Sequence, residues 1–258
     1  MTSGNGPAAG VRDELGQRDA AVRFEWGPAG AEQLRDEAGC LFIVDVLSFT
    51  TAVSIAVGRR MAILPHRSGD GDAEEFAASH NAMLAVRRTE VSADRPWSLS
   101  PAGLAWAPVT SRLVLPSPNG AAIAATSKGP VLAACLRNAT ASARWALEHG
   151  FGTDEHPAVV IAAGERWPDG SLRPALEDAL GAGAVLSHLE GAGCELSVEA
   201  AAIAQLHRAC HDVRESIRSC GSALELARAG YLADVEAAIE VDGDEWVAVL
   251  EDGAFNAG

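Results

Sequence analysis

The chain has 258 residues, and its 20 Lys+Arg against 35 Asp+Glu give a formal net charge of −15. Hydrophobic residues make up 48% and charged residues 21%, a globular balance with enough apolar mass for one large domain or two small ones. So acidic a chain repels phosphate backbones and anionic lipid, which excludes nucleic acid and membrane as expected partners and leaves any anionic ligand in need of a local arginine cluster or a metal.

Residues 1–23 mix Gly, Ala and charged side chains without period, and they are expected to form a tail without regular structure. The run Cys40–Asp45 is apolar up to its closing carboxylate and predicts a strand buried on both faces. Similar runs follow at Met61–Leu64, Arg112–Leu115, Pro130–Cys135 and Ala158–Ala163. Between them the spacing predicts helices over Thr51–Arg60, Ala73–Val86, Ala121–Ser127 and Ala139–Gly150, then a long one over Pro174–Leu189. Ser197–Ile239 reads as helices and Glu245–Leu250 as a closing strand. The alternation predicts an α/β fold, a mainly parallel sheet flanked by helices with a helical C-terminal third. Residues 24–258 are expected to form this domain, with a boundary near 190 if it divides into two subdomains.

The cysteines Cys40, Cys135, Cys194, Cys210 and Cys220 are odd in number and contain no CxxC pair, which points to reduced thiols and a cytoplasmic location. Residues 1–23 carry no signal-peptide apolar core, and no apolar run approaches the roughly 18 residues of a membrane span.

A parallel sheet binds its ligands beyond the carboxyl ends of its strands. Polar residues gather at four such exits: Asp45 with Ser48, Thr50 and Thr51; Ser117 with Asn119 and Gly120; Arg137 with Asn138; and Gly164 with Glu165 and Arg166. Asp45 reads either as a turn or helix-capping aspartate or as a metal ligand or general base. Glu177 and Asp178 either complement a helix dipole or reach back to Asp45 around a hard cation such as Mg²⁺. Asn119-Gly120 and Asn138 read as turn chemistry or as an anion cradle at helix N-termini. Arg137, Arg166 and Arg173 are surface arginines or anion ligands. His207 and His211 have zinc-ligand spacing but lack the accompanying glutamate. No P-loop, nucleophile elbow or dinucleotide fingerprint occurs, and Leu47 stands where a haloacid-dehalogenase-type phosphatase needs its second aspartate.

Taken together, Val44-Asp-Val-Leu47 with Thr50-Thr51, Ser117-Pro-Asn119-Gly120, Leu136-Arg-Asn138-Ala139, and Ala163-Gly164 with Ala175-Leu-Glu177-Asp178 and Gly181-Ala-Gly183-Ala184 resemble the 2-phosphosulfolactate phosphatase (ComB-like) family. Ser219–Gly230 with Asp234-Val235 is similar to its C-terminal signature. The resemblance implies a Mg²⁺-dependent phosphatase that hydrolyses (R)-2-phospho-3-sulfolactate to 3-sulfolactate and phosphate, a step towards coenzyme M. Asp45, Glu177 and Asp178 would be its catalytic and metal-binding residues. Ser48, Thr50, Thr51, Asn119, Gly120, Arg137, Asn138 and Arg166 would surround a small anionic organophosphate. This chain departs from the family pattern at Ser48, where the family carries arginine, and at Pro118 and Ala121 beside Asn119-Gly120. A phosphatase for another small phosphorylated hydroxy acid and a catalytically degenerate anion-binding protein of the same fold remain the alternatives. A homodimer is carried as a further expectation.

Overall fold

The computed structural model describes residues 13–67, 71–124 and 129–258. Of the expected tail, residues 1–12 lie outside the described residues. Asp13–Gly16 forms a 3₁₀ turn, and Val22 and Arg23 open strand β1 (Val22–Trp26), because buried Val22 and Phe24 supply a strand's alternating apolar face. The chain continues through α1 (Gly27–Leu34), β2 (Cys40–Val44), α2 (Phe49–Gly58), β3 (Ala62–Arg67), α3 (Ala73–Ser79), β4 (Met83–Leu84), α4 (Pro101–Trp106), β5 (Arg112–Ser117) and α5 (Gly120–Ala124). It then forms β6 (Val131–Ala134), α6 (Ala139–Glu148), β7 (Ala158–Ala162), the small hairpin β8 (Glu165–Arg166) and β9 (Leu172–Arg173), and α7 (Leu176–Gly191). Four helices follow, α8 (Val198–Ala209), α9 (Val213–Arg218), α10 (Gly221–Arg228) and α11 (Leu232–Ala238), before a hairpin of β10 (Ala248–Glu251) and β11 (Ala254–Ala257).

The predicted α/β architecture is present, as is the helical C-terminal part. Two elements differ. The helix expected over Ala73–Val86 ends at Ser79, where Asn81 takes a positive φ of 49°, and Met83–Leu84 joins the sheet as β4. The helix expected over Ala121–Ser127 is seen to Ala124, and residues 125–127 lie outside the described residues.

Among the described residues nine strands form one sheet in the order β1-β7-β2-β6-β10-β11-β3-β5-β4. β1, β7, β2 and β6 are mutually parallel, as are β3, β5 and β4, and the β10–β11 hairpin joins the two blocks by antiparallel pairing. The fully apolar β2 lies inside the sheet: Phe42 and Val44 pack against one layer with α6 and α7, and Leu41 and Ile43 against the other with α2 and α5. Val44 is in register with Ala134 of β6 and Ala162 of β7, so these three strands end level. Antiparallel steps at β6–β10, β10–β11 and β11–β3 turn the second block the opposite way. The exits of β5 and β2 nonetheless meet, the Gly120 N–H lying 3.2 Å from Asp45 Oδ2.

Candidate active site

Three of the four exits singled out in the sequence, those of β2, β5 and β7, converge. At the end of β2, Asp45 Oδ1 accepts from the Phe49 N–H at 3.1 Å and Oδ2 from the Gly120 N–H. The capping role is therefore realised at the first turn of α2, and the same carboxylate ties α2 to α5. Gly120 permits this approach, since a Cβ there would stand 2.2 Å from the Phe49 ring. Its N–H is spent on Asp45. Thr50 and Thr51 are fully buried; their hydroxyls donate to the carbonyls of Asp45 and Val46, each at 2.8 Å, and hold the exit loop in shape.

Helix α7 brings Glu177 and Asp178 to the same point. Gly181 lets it lie against β2, where a Cβ would come within 2.7 Å of Val46 and 2.9 Å of Val44. Asp178 clamps two exits: Oδ1 accepts from the Val46 N–H at 2.7 Å and Oδ2 from the Gly164 N–H at 2.9 Å. Glu177 Oε2 accepts from the Cys220 thiol at 3.1 Å, while its Oε1 is buried without a hydrogen-bond partner among the described residues. The three carboxylates are 7%, 1% and 3% exposed for Asp45, Glu177 and Asp178.

Their electrostatics follow from crowding in a dry place. Burial raises Asp45 to about 6, against its two N–H donors and with help from the Glu177 charge. Burial, with the charges of Asp45 and Glu177, holds Asp178 well above the ordinary carboxylate range. Cys220 is pushed up to about 12 by burial and then by Glu177, so it stays a thiol and donates. A fourth carboxyl, Glu165 at the start of β8, belongs to this group. It is half-buried and raised to about 7, by burial first and then by Asp45 and Glu177, against Arg173. Its place at the exit of β7 was visible in the sequence; the charges that surround it come from α7 and β2 and were not.

The remaining sequence candidates are placed as follows. Asn119 is buried, donates to the Gly164 carbonyl at 3.0 Å, and lines a small cavity of about 280 Å³ together with exposed Arg166. Arg166 itself donates to the Gly170 carbonyl. Asn138 is fully buried and closes the exit of β6 on itself, through the Cys135 N–H and the Ala133 carbonyl. Arg137 points away from the carboxylates. It grips buried Asp244 at 2.9 and 2.7 Å and pairs with Glu240, tying the exit of β6 to the segment before β10. The hydroxyl of buried Ser48 accepts from Arg88 at 2.8 Å. His207 Nδ1–H donates to the Leu180 carbonyl at 3.0 Å, and the five cysteines are free. Among the described residues, no set of three or more His, Cys, Asp or Glu side chains is arranged as a metal cage, and no helix is long and apolar enough to cross a membrane.

No curated protein matches the chain. A family model described as 2-phosphosulpholactate phosphatase matches residues 29–253, a span that holds Asp45, Glu165, Glu177 and Asp178. Three strand exits and one helix start meet at a single buried group of carboxylates within that span, and the chain belongs to the 2-phosphosulpholactate phosphatase family, a family of phosphoric monoester hydrolases.

Proposed function

We propose that the chain is a Mg²⁺-dependent phosphatase that hydrolyses (R)-2-phospho-3-sulfolactate to 3-sulfolactate and inorganic phosphate. Membership of the family supports the substrate class. The observation that carries the metal is Glu177 Oε1, a buried carboxylate oxygen without a partner among the described residues, beside the raised carboxyl of Asp45. Mg²⁺ keeps several waters and takes one or two protein carboxylates with phosphate oxygens, so it does not need a cage of three side chains. Glu177 and Asp45 are the pair that would hold it. Asp178, which like Asp45 accepts backbone N–H groups on both oxygens, bridges the exits of β2 and β7 and would fix their spacing. When bound, the ion supplies positive charge against the phosphoryl oxygens.

The chain's own residues do the rest. Asp178 keeps the exits of β2 and β7 at a set separation, which orients whatever binds between them. Glu165 shares the field of Asp45 and Glu177 yet is part-exposed, so it is our candidate for moving the proton between water and the leaving hydroxyl. The test is phosphate release from a panel of 2-phospho hydroxy acids that includes 2-phosphosulfolactate, with Mg²⁺ and with EDTA. Metal-dependent release from the sulfonate compound is the expected result. Asp45→Asn should lower it by roughly 10²-fold or more while thermal unfolding stays cooperative. Full activity in that variant sinks the reading. Release from a different panel member keeps the mechanism and moves the substrate, with Ser48 as the residue to examine.

A further inference from the structure

On the far side of Ser48 the fold opens a cleft of about 910 Å³, walled by the end of β3, by β4 and the 3₁₀ turn Arg88–Glu90, by Pro116 and Pro118 at the exit of β5, and by Tyr231. None of the four carboxylates described above lines it. Among the described residues four arginines do, Arg67, Arg87, Arg88 and Arg95, against two glutamates, Glu74 and Glu90, in a chain whose net charge is −15. So local a reversal of sign in an acidic molecule is what capture of an anion requires.

Arg88 is built in. Its Nε donates to buried Asp234 at 2.8 Å, its Nη2 to Ser48 Oγ and the Leu99 carbonyl at 2.8 Å each, and the guanidinium lies 5.4 Å from the centre of the Tyr231 ring. Arg67, Arg87 and Arg95 are exposed, and their side chains make no ion pair or hydrogen bond among the described residues. An independent sign comes from His66, which lines the same cleft and is 8% exposed. Its Nε2 lies 3.0 Å from Asp72 Oδ1, and its Nδ1 is buried without a partner among the described residues. The Asp72 carboxylate accepts from Nε2, so Nδ1 is the ring nitrogen left without a partner. Buried polar atoms are rarely left unpaired, and this one belongs to a side chain that lines a cleft rich in unpaired cations.

We propose that this cleft binds a small molecule bearing two or more acid groups of the phosphate, sulfonate or carboxylate type. His66 and Arg88 are its preset contacts, and Arg67, Arg87 and Arg95 close on it as planar forks. The site stands on this geometry and does not depend on the reaction proposed above. Two sources fit the chemistry: the non-reacting acid groups of the substrate, which Arg88 would address from beside Ser48, and a separate anion that acts as an effector.

The test is titration calorimetry on the full chain in metal-free buffer, with inorganic pyrophosphate and 3-sulfolactate as probes. At least one probe should bind the wild type. Arg87→Ala, Arg95→Ala and His66→Gln should each weaken it about tenfold or more, the loss of one charge-assisted contact. Arg144→Ala, which removes an exposed arginine outside the cleft, should bind as the wild type does. Thermal unfolding of each variant checks that it is folded. Inhibition of turnover by the bound probe then separates the sources: a rise in KM alone assigns the cleft to the substrate, and a change in kcat assigns it to an effector. The proposal is overturned if neither probe binds the wild type, or if the three cleft variants bind as tightly as Arg144→Ala. Because binding is read without turnover, an inactive enzyme that still binds pyrophosphate through Arg87 would sink the phosphatase reading and leave the cleft standing.

Discussion

Glu177 and Asp178 are neighbours in the chain and do opposite things. Asp178 gives both oxygens to backbone N–H groups and is part of the frame, whereas Glu177 keeps one oxygen uncommitted. Crowding them against Asp45 and Glu165 has a measurable cost in the absence of a cation. Asp45 stands at about 6 and Glu165 at about 7, above ordinary values of 3.8 and 4.5. A raised carboxyl pKa means that the folded chain holds the proton more tightly than the unfolded one, so the stability it gives is complete below about pH 4 and is lost as pH rises through 6 and 7. In EDTA the thermal midpoint should therefore be higher near pH 5 than near pH 7.5. Glu177→Gln should narrow that difference, because the Glu177 charge helps to raise both groups. A midpoint that climbs between those pH values would contradict the charge crowding described here.

At the scale of elements, the site is a meeting of strand ends with the first turn of α7, and Gly181 sets how close they come. Gly181→Ala gains helix propensity worth about 1 kcal/mol but drives a methyl group into Val46 and Val44, and overpacking of that kind costs about 1–3 kcal/mol. Lower thermal stability together with reduced turnover is expected, since the Asp178 bond to Val46 moves with the helix. A stabilised, fully active variant would show that the spacing is not critical. Much of this meeting was legible in the chain alone. Asp45 closes an unbroken apolar run, and Glu177-Asp178 follow Pro174 at a helix start, so local pattern was enough to find them. What local pattern could not supply was the partner of each polar group. Arg137 looked like an anion ligand at an exit, but its carboxylate, Asp244, lies 107 residues on. Arg88 carried no signal at all, because what fixes it is Asp234, 146 residues away. The helix expected to reach Val86 stopped short for a related reason: Met83 and Leu84 found parallel partners in β5, which periodicity does not reveal.

On the scale of the whole molecule, one hairpin decides whether there is a single sheet or two. β10 pairs with β6 and β11 with β3, and the pair of them is the sheet's only link between its parallel blocks among the described residues. Ending the chain at Trp246 should leave β6 and β3 as open edges, with Val249 and Phe255 withdrawn from the cores on either face. Loss of soluble protein, or a broad non-cooperative melt, is the expected outcome, and a sharp unfolding transition near that of the full chain would refute it. The apolar patterning foretold a closing strand but not its neighbours, because a strand's place in a sheet is set by pairing and not by its own residues.

The order in which a ribosome delivers these strands gives that hairpin a further consequence. Every other strand has left the exit tunnel before residues 248–257 do, so for the length of the α7–α11 region the nascent chain carries two half-sheets with bare inner edges. Bare edges recruit whatever strand is nearest, including one from a neighbouring polysome. Closure of this fold thus waits for the hairpin to emerge, and the wait grows with each residue of the helical region that precedes it.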